Sequence, residues 1–448
     1  MTRDFQYLPL RHVAVVKNSN VDKLSLPGES PVRLCNYVDV YRNDRITQAV
    51  SFMRASATPS EIASLKIRLG DVLITKDSEQ WNDIGVPALV ATEADDLVCG
   101  YHLTMLRPHP SKIMGSYLAY ALRVPEVAVQ LHLAAKGVTR YGLSQQGIKS
   151  AQVPVPLLEE QGLIVRYLDH AELRIAKAIA AKQRMIKLLE EKKQVVAEEI
   201  ILGRDQTGVE LLDSEVPWLG QVPKHWELSP CRAYLRRRKV LVGRGHSGHV
   251  LLSLTLRGLI VRDLSQMKGK FPASFESYQR VEPGDFVFCL FDVDETPRTV
   301  GLARVGGMIT GAYDVFECTD ESLREYLYEY FLTIDRGKKL KPLYRGLRKT
   351  VPSNAFASMR IPIPPKVERA ALVTNLKTST AAVDAAIGSL TRELVLLKEY
   401  RTRLISDVVT GKLDVREEAA KLPEIDRMEL ATVAVGENGD DEEASDDD

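Results

Sequence analysis

The phrase VPVPLLEEQ at Val153 returns as IPIPPKVER at Ile361, and this shift of 208 residues holds without a gap from Arg140 against Arg348 to Arg204 against Lys412. Under the same shift Leu168 meets Leu376, Leu189 meets Leu397 and Gly203 meets Gly411. Alternating prolines fix φ and remove backbone donors, so they suit an extended edge or a connector and cannot lie inside a helix. A second such connector, followed by a second long amphipathic segment, describes a chain built twice. Upstream the match loosens but keeps its order. FQYLPLR at Phe5 faces WELSPCR at Trp226, LGDVLITKD around Gly70 faces PGDFVFCLF around Gly284, and CGYHLTML around Gly100 faces TGAYDVFE around Gly311.

Each half therefore reads as a variable globular domain rich in short β-type runs, such as DVLIT, LVCGYHLTML, DFVFCLF and HVLLSLTL, followed by a long helix. In the first helix Leu168, Ile175, Leu189 and Val196 fall on one sevenfold series broken by Lys182, and Ile179, Ile186 and Ile200 on a companion series broken by Lys193. In the second, Leu376, Val383, Leu390, Leu397 and Leu404 run unbroken, while Ile387, Leu394 and Val408 share their series with Thr380 and Arg401. Gly203 and Gly411 supply the helix stops. One heptad helix is ordinarily a helix lying on a core; two matched copies point to a coiled-coil pair. A helix of about 35 residues is about 50 Å long, so the first carries the chain away from its own domain and the second must run back against it. The expected fold is α+β: two tandem β-rich globular domains and two long helices packed as an antiparallel coiled coil with pseudo-twofold symmetry. The expected divisions are a first domain over 1–152, a connector and helix over 153–204, a linker over 205–225, a second domain over 226–360, a connector and helix over 361–415, and an acidic, disordered tail over 416–448.

The 60 basic and 60 acidic side chains cancel, but GENGDDEEASDDD from Gly436 holds eight acids and no base, so the remainder carries +8. A basic body is compatible with a polyanionic partner. The five cysteines, Cys35, Cys99, Cys231, Cys289 and Cys318, lie far apart without a Cys-x-x-Cys pair, which signals neither a zinc site nor a disulfide framework. No stretch approaches the about 20 apolar residues that span a bilayer, and a soluble protein of the reducing cytoplasm, without membrane contact, is expected.

Enzyme signatures are missing. There is no phosphate loop of the Gly-x-x-x-x-Gly-Lys type, no His-Glu-x-x-His and no Gly-x-Ser-x-Gly elbow. GRGHSG, from Gly243 to Gly248, fits a dinucleotide fingerprint and has Asp263 downstream, but HVLLSLTL follows as a strand where the fingerprint needs a helix. Asp71 with Lys76, or Asp285 with Asp292, could be drawn as a nuclease centre; Gly-Asp before an apolar run is more simply a turn. The histidines show no ligand spacing, so no catalytic residue and no metal ligand is assigned.

Two basic runs remain, RAYLRRRKVLVGRGH from Arg232 and RGKKLKPLYRGLRK from Arg336, and the second aligns with KGVTRYG from Lys136. Arginine and lysine neutralise phosphates, arginine also grips guanine edges, and neighbouring glycines let the backbone approach closely. The candidate DNA-binding set is Lys76, Lys136, Arg140, Tyr141, Arg236, Arg237, Arg238, Lys239, Arg345, Arg348 and Lys349. Base readout is expected from the variable stretches 32–107 and 251–319, with Arg140, Arg345, Arg348 and Lys349 mainly on phosphates. Replacing Arg348 by alanine is then expected to weaken binding to every sequence and lower the salt slope by about one unit.

Taken together, GDVLITKDSE, GYHLTMLRP, the run from KGVTRYGLSQ through VPVPLLEEQ, WLGQVPKHWEL, PGDFVF, TGAYDVF and IPIPPKVER resemble the recurring phrases of the specificity subunit of type I restriction–modification enzymes. The resemblance covers nearly everything but the acidic tail. One departure stands out: the family's Glu-Gln after the proline phrase is Glu160 and Gln161 in the first copy and Glu368 and Arg369 in the second. The resemblance implies two target-recognition domains, each reading half of an interrupted asymmetric site in double-stranded DNA. It also implies two modification subunits that methylate adenine with S-adenosylmethionine, and two restriction subunits that translocate and cleave with ATP and Mg. This chain would itself be non-catalytic and hold no cofactor. The competing readings are a standalone DNA-modifying or DNA-cleaving enzyme and a coiled-coil scaffold without DNA recognition.

Overall fold

The computed structural model describes residues 5–262 and 274–425. The chain divides into two compact units, one formed by residues up to 184 together with those from 391, the other by 185–390. The division passes through both long helices, Leu158–Ile201 and Lys366–Val409, each of 44 residues. The shift of 208 carries one helix onto the other end for end, and at about 1.5 Å per residue each is about 66 Å long.

Within each unit the two helix segments run antiparallel. In the first, Glu172 pairs with Arg401 and Lys182 with Glu393. In the second, Lys193 meets Asp384 at 2.5 Å and Asn375 donates to Asp205 at 2.8 Å. The charged residues that interrupt the sevenfold series are thus partners across the helix pair. Leu168, Ile175, Ile179, Leu376 and Leu404 are buried in the seam, and Ile186, Leu189, Val196, Val383, Ile387, Leu390, Leu394 and Leu397 are half-buried along it. Leu188 and Val195, off both series, are exposed. Gly203, at φ +67°, closes the first helix while the Arg204 amide reaches back to the Glu199 carbonyl at 2.7 Å, and Gly411 at φ +76° stops the second. A Cβ on Gly203 would come within 2.7 Å of the Trp226 ring, so this stop also needs glycine for space.

The repeat is reproduced bond for bond at the proline connectors. Tyr7–Pro9 pairs with Gln152–Pro154 so that Tyr7 faces Pro154, and Glu227–Pro230 pairs with Arg360–Ile363 so that Leu228 faces Pro362. Leu10 N donates to Ala151 O, and Cys231 N to Met359 O, each at 2.8 Å. Gln161, fully buried, accepts from Met114 N at 2.8 Å and donates to the Lys112 and Pro156 carbonyls at 2.9 Å, tying the start of Gly115–Arg123 to the connector. Arg369 does the equivalent work in the second copy. Its Nε donates to Pro364 O at 3.0 Å, and its guanidinium pairs with Asp320 at 2.8 Å ahead of the helix Arg324–Arg336. The departure from Glu-Gln is a change of side chain with the anchor retained.

The main sheets also correspond. In the first unit the order is Ala14–Asn18, Leu103–Pro108, Val72–Thr75, Pro87–Val90, with Arg45–Ile46 at the edge; in the second it is Leu235–Arg238, Asp314–Cys318, Phe286–Phe288, Val300–Leu302. The Gly-Asp pairs are the expected turns. Gly70 at φ +86° and Gly284 at φ +92° precede Asp71 and Asp285, whose carboxylates accept from the amides of Arg68 and Glu282 at 2.8 Å. Asp71 is further held by Arg107 at 2.7 Å. Each unit packs around its own apolar core. Tyr117, Leu118, Leu168, Leu404 and Val408 share one in the first unit, and Phe286, Phe331, Phe356, Ile200 and Leu376 one in the second.

Two stretches differ from expectation. Residues 205–225 are folded rather than a plain linker: Leu211–Asp213 pairs with Gln221–Pro223, and Val216, Leu219 and Val222 are buried. Residues 416–425 are not tail either. Arg416–Lys421 is a helix with Ala419 fully buried, and the Pro423 carbonyl lies 2.8 Å from His170 Nε2. The acidic run from Gly436 and Asp263 lie outside the described residues. Among the described residues no helix is long and apolar enough to cross a membrane.

Candidate nucleic-acid interface

In the first unit KGVTRYG folds as a hairpin of Ala135–Lys136 against Tyr141–Leu143, itself paired with Asp77–Ser78. Gly137, at φ +152°, makes the reversal, and a Cβ there would meet the Arg140 carbonyl at 1.9 Å. Val138, almost fully exposed, stands at the tip, and Lys136 and Arg140 are exposed on either side of it. The Arg140 guanidinium lies 3.2 Å from the His102 ring nitrogen Nδ1, which in turn lies 2.9 Å from Asp77 Oδ2. The Tyr101 ring sits 3.6 Å from that of His102. Tyr141 is half-buried on the core side. Lys76 departs from its assignment: half-buried, it donates to the Ser19 carbonyl at 3.0 Å and serves the fold.

The second unit places its counterpart at the same point. Arg345 and Thr350 close a tight loop by two backbone bonds of 2.9 and 3.0 Å, and Val351 N bonds Leu290 O at 2.8 Å just as Leu143 N bonds Lys76 O at 2.8 Å. Leu347 is fully exposed at the tip. The Arg348 guanidinium sits 5.1 Å from the Phe291 ring centroid, Phe291 stacks on Tyr313, and Tyr313 occupies the position of His102. Each unit thus presents an arginine-bearing loop laid against an aromatic pair.

The charge balance differs between the two loops. Arg348 pairs with Asp292 at 2.5 Å, Lys349 with Asp294 at 3.2 Å and Glu295 at 3.0 Å, and Lys341 with Asp294 at 3.2 Å. The bond from Arg348 holds the Asp292 carboxyl below its ordinary range, the bonds from Lys341 and Lys349 do the same for Asp294, and Glu295 pushes the Lys349 ammonium up. Arg345 is exposed and bonds its neighbouring carbonyl, Tyr344 O, at 2.8 Å.

Arg236, Arg237 and Arg238 lie on the strand Leu235–Arg238 and open onto a shallow cavity of about 520 Å³ with Lys239, Arg280 and Glu282. They too are matched by acids: Arg236 by Glu317, Arg237 by Asp314, and Arg238 by Asp285 at 3.5 Å and Glu317 at 3.6 Å. Asp314 adjoins Tyr313, so strip and loop meet around one turn.

Sequence reasoning named Asp285 and Asp292 but did not bring any of these carboxylates to the basic runs, and it missed the aromatic pairs. The aromatic signal was present in GYH at Gly100 and GAY at Gly311; the carboxylates stand 47 to 81 positions away from the bases they meet, where no local pattern reaches. GRGHSG is a 3-10 turn, Gly243–Gly248, leading into the strand Leu251–Thr255. No group of side chains suited to a metal occurs among the described residues.

Residues 56–184 match the type I restriction modification DNA specificity domain. Over 364 residues, 80% of this chain and 81% of the relative, the sequence is 23% identical to the putative type I restriction enzyme MjaX specificity subunit of Methanocaldococcus jannaschii. A chain from a structure of a type I R-M system, concerned with complex assembly and conformational transition, superposes with a TM-score of 0.62 at 15% identity, covering 92% of this chain and 100% of that one. The HsdS subunit of Thermoanaerobacter tengcongensis aligns at 16% identity over 92% of this chain and 97% of that one, with a TM-score of 0.43.

Proposed function

This chain belongs to the specificity-subunit family of type I restriction–modification systems, and we propose that it reads an interrupted, asymmetric site in double-stranded DNA, one half-site per unit. What carries the reading is the recurrence of Arg140 and Arg348 on exposed loops at equivalent points of two otherwise divergent units. A loop backed by an aromatic pair offers a fixed guanidinium to a phosphate or a base edge. Two unlike units would read two unlike half-sites, as paired modules of dimeric regulators read like ones.

In this reading the chain is the non-catalytic, cytoplasmic member of its complex. Methylation of adenine with S-adenosylmethionine falls to two modification subunits, and translocation and cleavage with ATP and Mg to two restriction subunits. Phosphate contacts come from Lys136, Arg140, Arg345, Arg348 and Lys349, with Arg236–Lys239 beside them, and base discrimination from the variable stretches 32–107 and 251–319.

The test is co-expression with a modification subunit, followed by a genome-wide map of methyladenine. A bipartite motif that changes in one half when residues 1–143 are exchanged for those of another specificity subunit is the expected result. A motif unaltered by the exchange would overturn the reading. DNA modified or cut by the purified chain alone would make it a standalone enzyme, and the absence of any sequence-dependent binding would make it a scaffold.

A further inference from the structure

The basic loop of the second unit is held by a single acidic turn. Asp292, Asp294 and Glu295 face Arg348, Lys349 and Lys341 at 2.5 to 3.2 Å, and the two backbones are themselves joined, Asp292 N to Arg348 O at 2.8 Å. Of the four described non-glycine residues with positive φ, two belong to this contact, Asp292 at +48° and Lys349 at +42°, and a third, Lys338 at +45°, bonds the Thr296 carbonyl next to the turn at 2.6 Å. Backbone of that kind persists where the surroundings over-determine it, and it gathers at functional sites. Among the described residues the first unit has no equivalent. The positions of Asp292, Asp294 and Glu295 are Ser78, Gln80 and Trp81 there, and Asp77 engages His102 while Arg140 lies against the ring.

We propose that Asp292, Asp294 and Glu295 determine specificity by occupying, as exchangeable carboxylates, the places that DNA phosphates take on Arg348, Lys349 and Lys341. This inference rests on the DNA-reading function above. Non-specific binding is almost wholly the phosphate contribution, driven by counterions released when a free cation meets a phosphate. A cation already matched by a carboxylate releases fewer counterions, and the displaced carboxylate repels the duplex. Exposed ion pairs are weak enough to exchange, so the loop engages where base contacts add to the phosphate contacts and stays closed elsewhere. The carboxylates act through the cations and are positioning residues.

The experiment uses the full chain and a duplex of arbitrary sequence, with affinity measured by fluorescence anisotropy across a salt series. D294N/E295Q is expected to bind that duplex about 3-fold to 10-fold more tightly at low salt and to steepen the slope of log K against log salt by about one unit or more. E295Q alone, at a side chain 71% exposed, moves both in the same direction by less. E418Q, which removes the same single charge as E295Q and frees Lys421, leaves both unchanged. A purely structural role for the acids would lower thermal stability without steepening the slope. Wild-type binding with slope and affinity unmoved in D294N/E295Q, or an equal gain in E418Q, overturns the inference and leaves the DNA reading standing. No binding by the wild type or any variant overturns both.

Discussion

Tyr117 and Val409, 292 residues apart, meet in the core of the first unit, where the tyrosine Oη donates to the Val409 carbonyl at 3.3 Å and to the Pro154 carbonyl at 3.1 Å. The second unit repeats the contact with Tyr326, which donates to the Ile201 carbonyl at 3.2 Å. Ile201 and Val409 are the last residues of the two long helices and correspond under the shift of 208. Carbonyls at a helix end have no partner of their own, and each unit supplies one from a buried phenol. Burial pushes both phenols far above their ordinary range, so they remain donors at every accessible pH.

Tyr326→Phe leaves the Ile201 carbonyl buried without this donor, and a loss of about 1–2 kcal/mol in unfolding free energy is expected. Urea denaturation followed by circular dichroism measures it. An unchanged midpoint would mean that water takes the place of the hydroxyl.

Gln161→Leu strands the Met114 amide and the carbonyls of Lys112 and Pro156 in a site with no exposure, a loss of about 2–4 kcal/mol. Arg369→Gln restores the residue of the first copy but leaves Asp320 without its guanidinium; about 1–2 kcal/mol is expected. If the two substitutions cost the same, the equivalence of these anchors is wrong in detail.

Asp44 reports on pH. Burial raises the pKa of its carboxyl, but Arg123 at 2.8 Å and Arg401 at 2.6 Å outweigh burial and hold it below the ordinary 3.8. A depressed carboxylate binds fewer protons folded than unfolded, so its contribution is complete above 3.8 and is lost as pH falls through the lowered value. The stability difference between wild type and Asp44→Asn is therefore largest at neutral pH and shrinks below about pH 4. Denaturant titrations at several pH values check this, and a difference that grows on acidification contradicts it.

Arg140→Ala is expected to lower the salt slope for DNA by about 0.9, the value of one lost phosphate contact. Arg348→Ala lowers it by less than about half a unit, because Asp292 already neutralises that cation. Equal changes at the two positions would place both arginines in the same electrostatic state, against the difference in their neighbours.

The repeat was the most legible part of the fold, because hydrogen-bond register is set by position along the chain. Once VPVP and IPIP were aligned, the pairings of Tyr7 with Pro154 and of Leu228 with Pro362 followed the same register. Helix stops at Gly203 and Gly411 and turns at Gly70 and Gly284 were legible for the same local reason. The electrostatics of the candidate interface were not. Arginine and lysine runs showed where positive charge lies along the chain, but whether a guanidinium is available depends on acids brought up by a distant strand or turn, as Glu317 is to Arg236 and Asp292 to Arg348. Lys76 illustrates the converse: a basic residue in a promising phrase whose ammonium is spent on the Ser19 carbonyl.

The two tyrosine contacts bear on how such a chain can evolve. Each fastens a helix whose sequence begins in one half to a domain encoded by the other, through a main-chain oxygen that every residue carries whatever its side chain. A lineage that acquires a foreign first half by recombination inherits a new occupant for the second unit's clasp at the same stroke. Because that clasp grips backbone, it does not itself select the newcomer's side chain; the selection falls instead on Ile200, Ile201 and Gly203, which meet the second unit's core and Trp226.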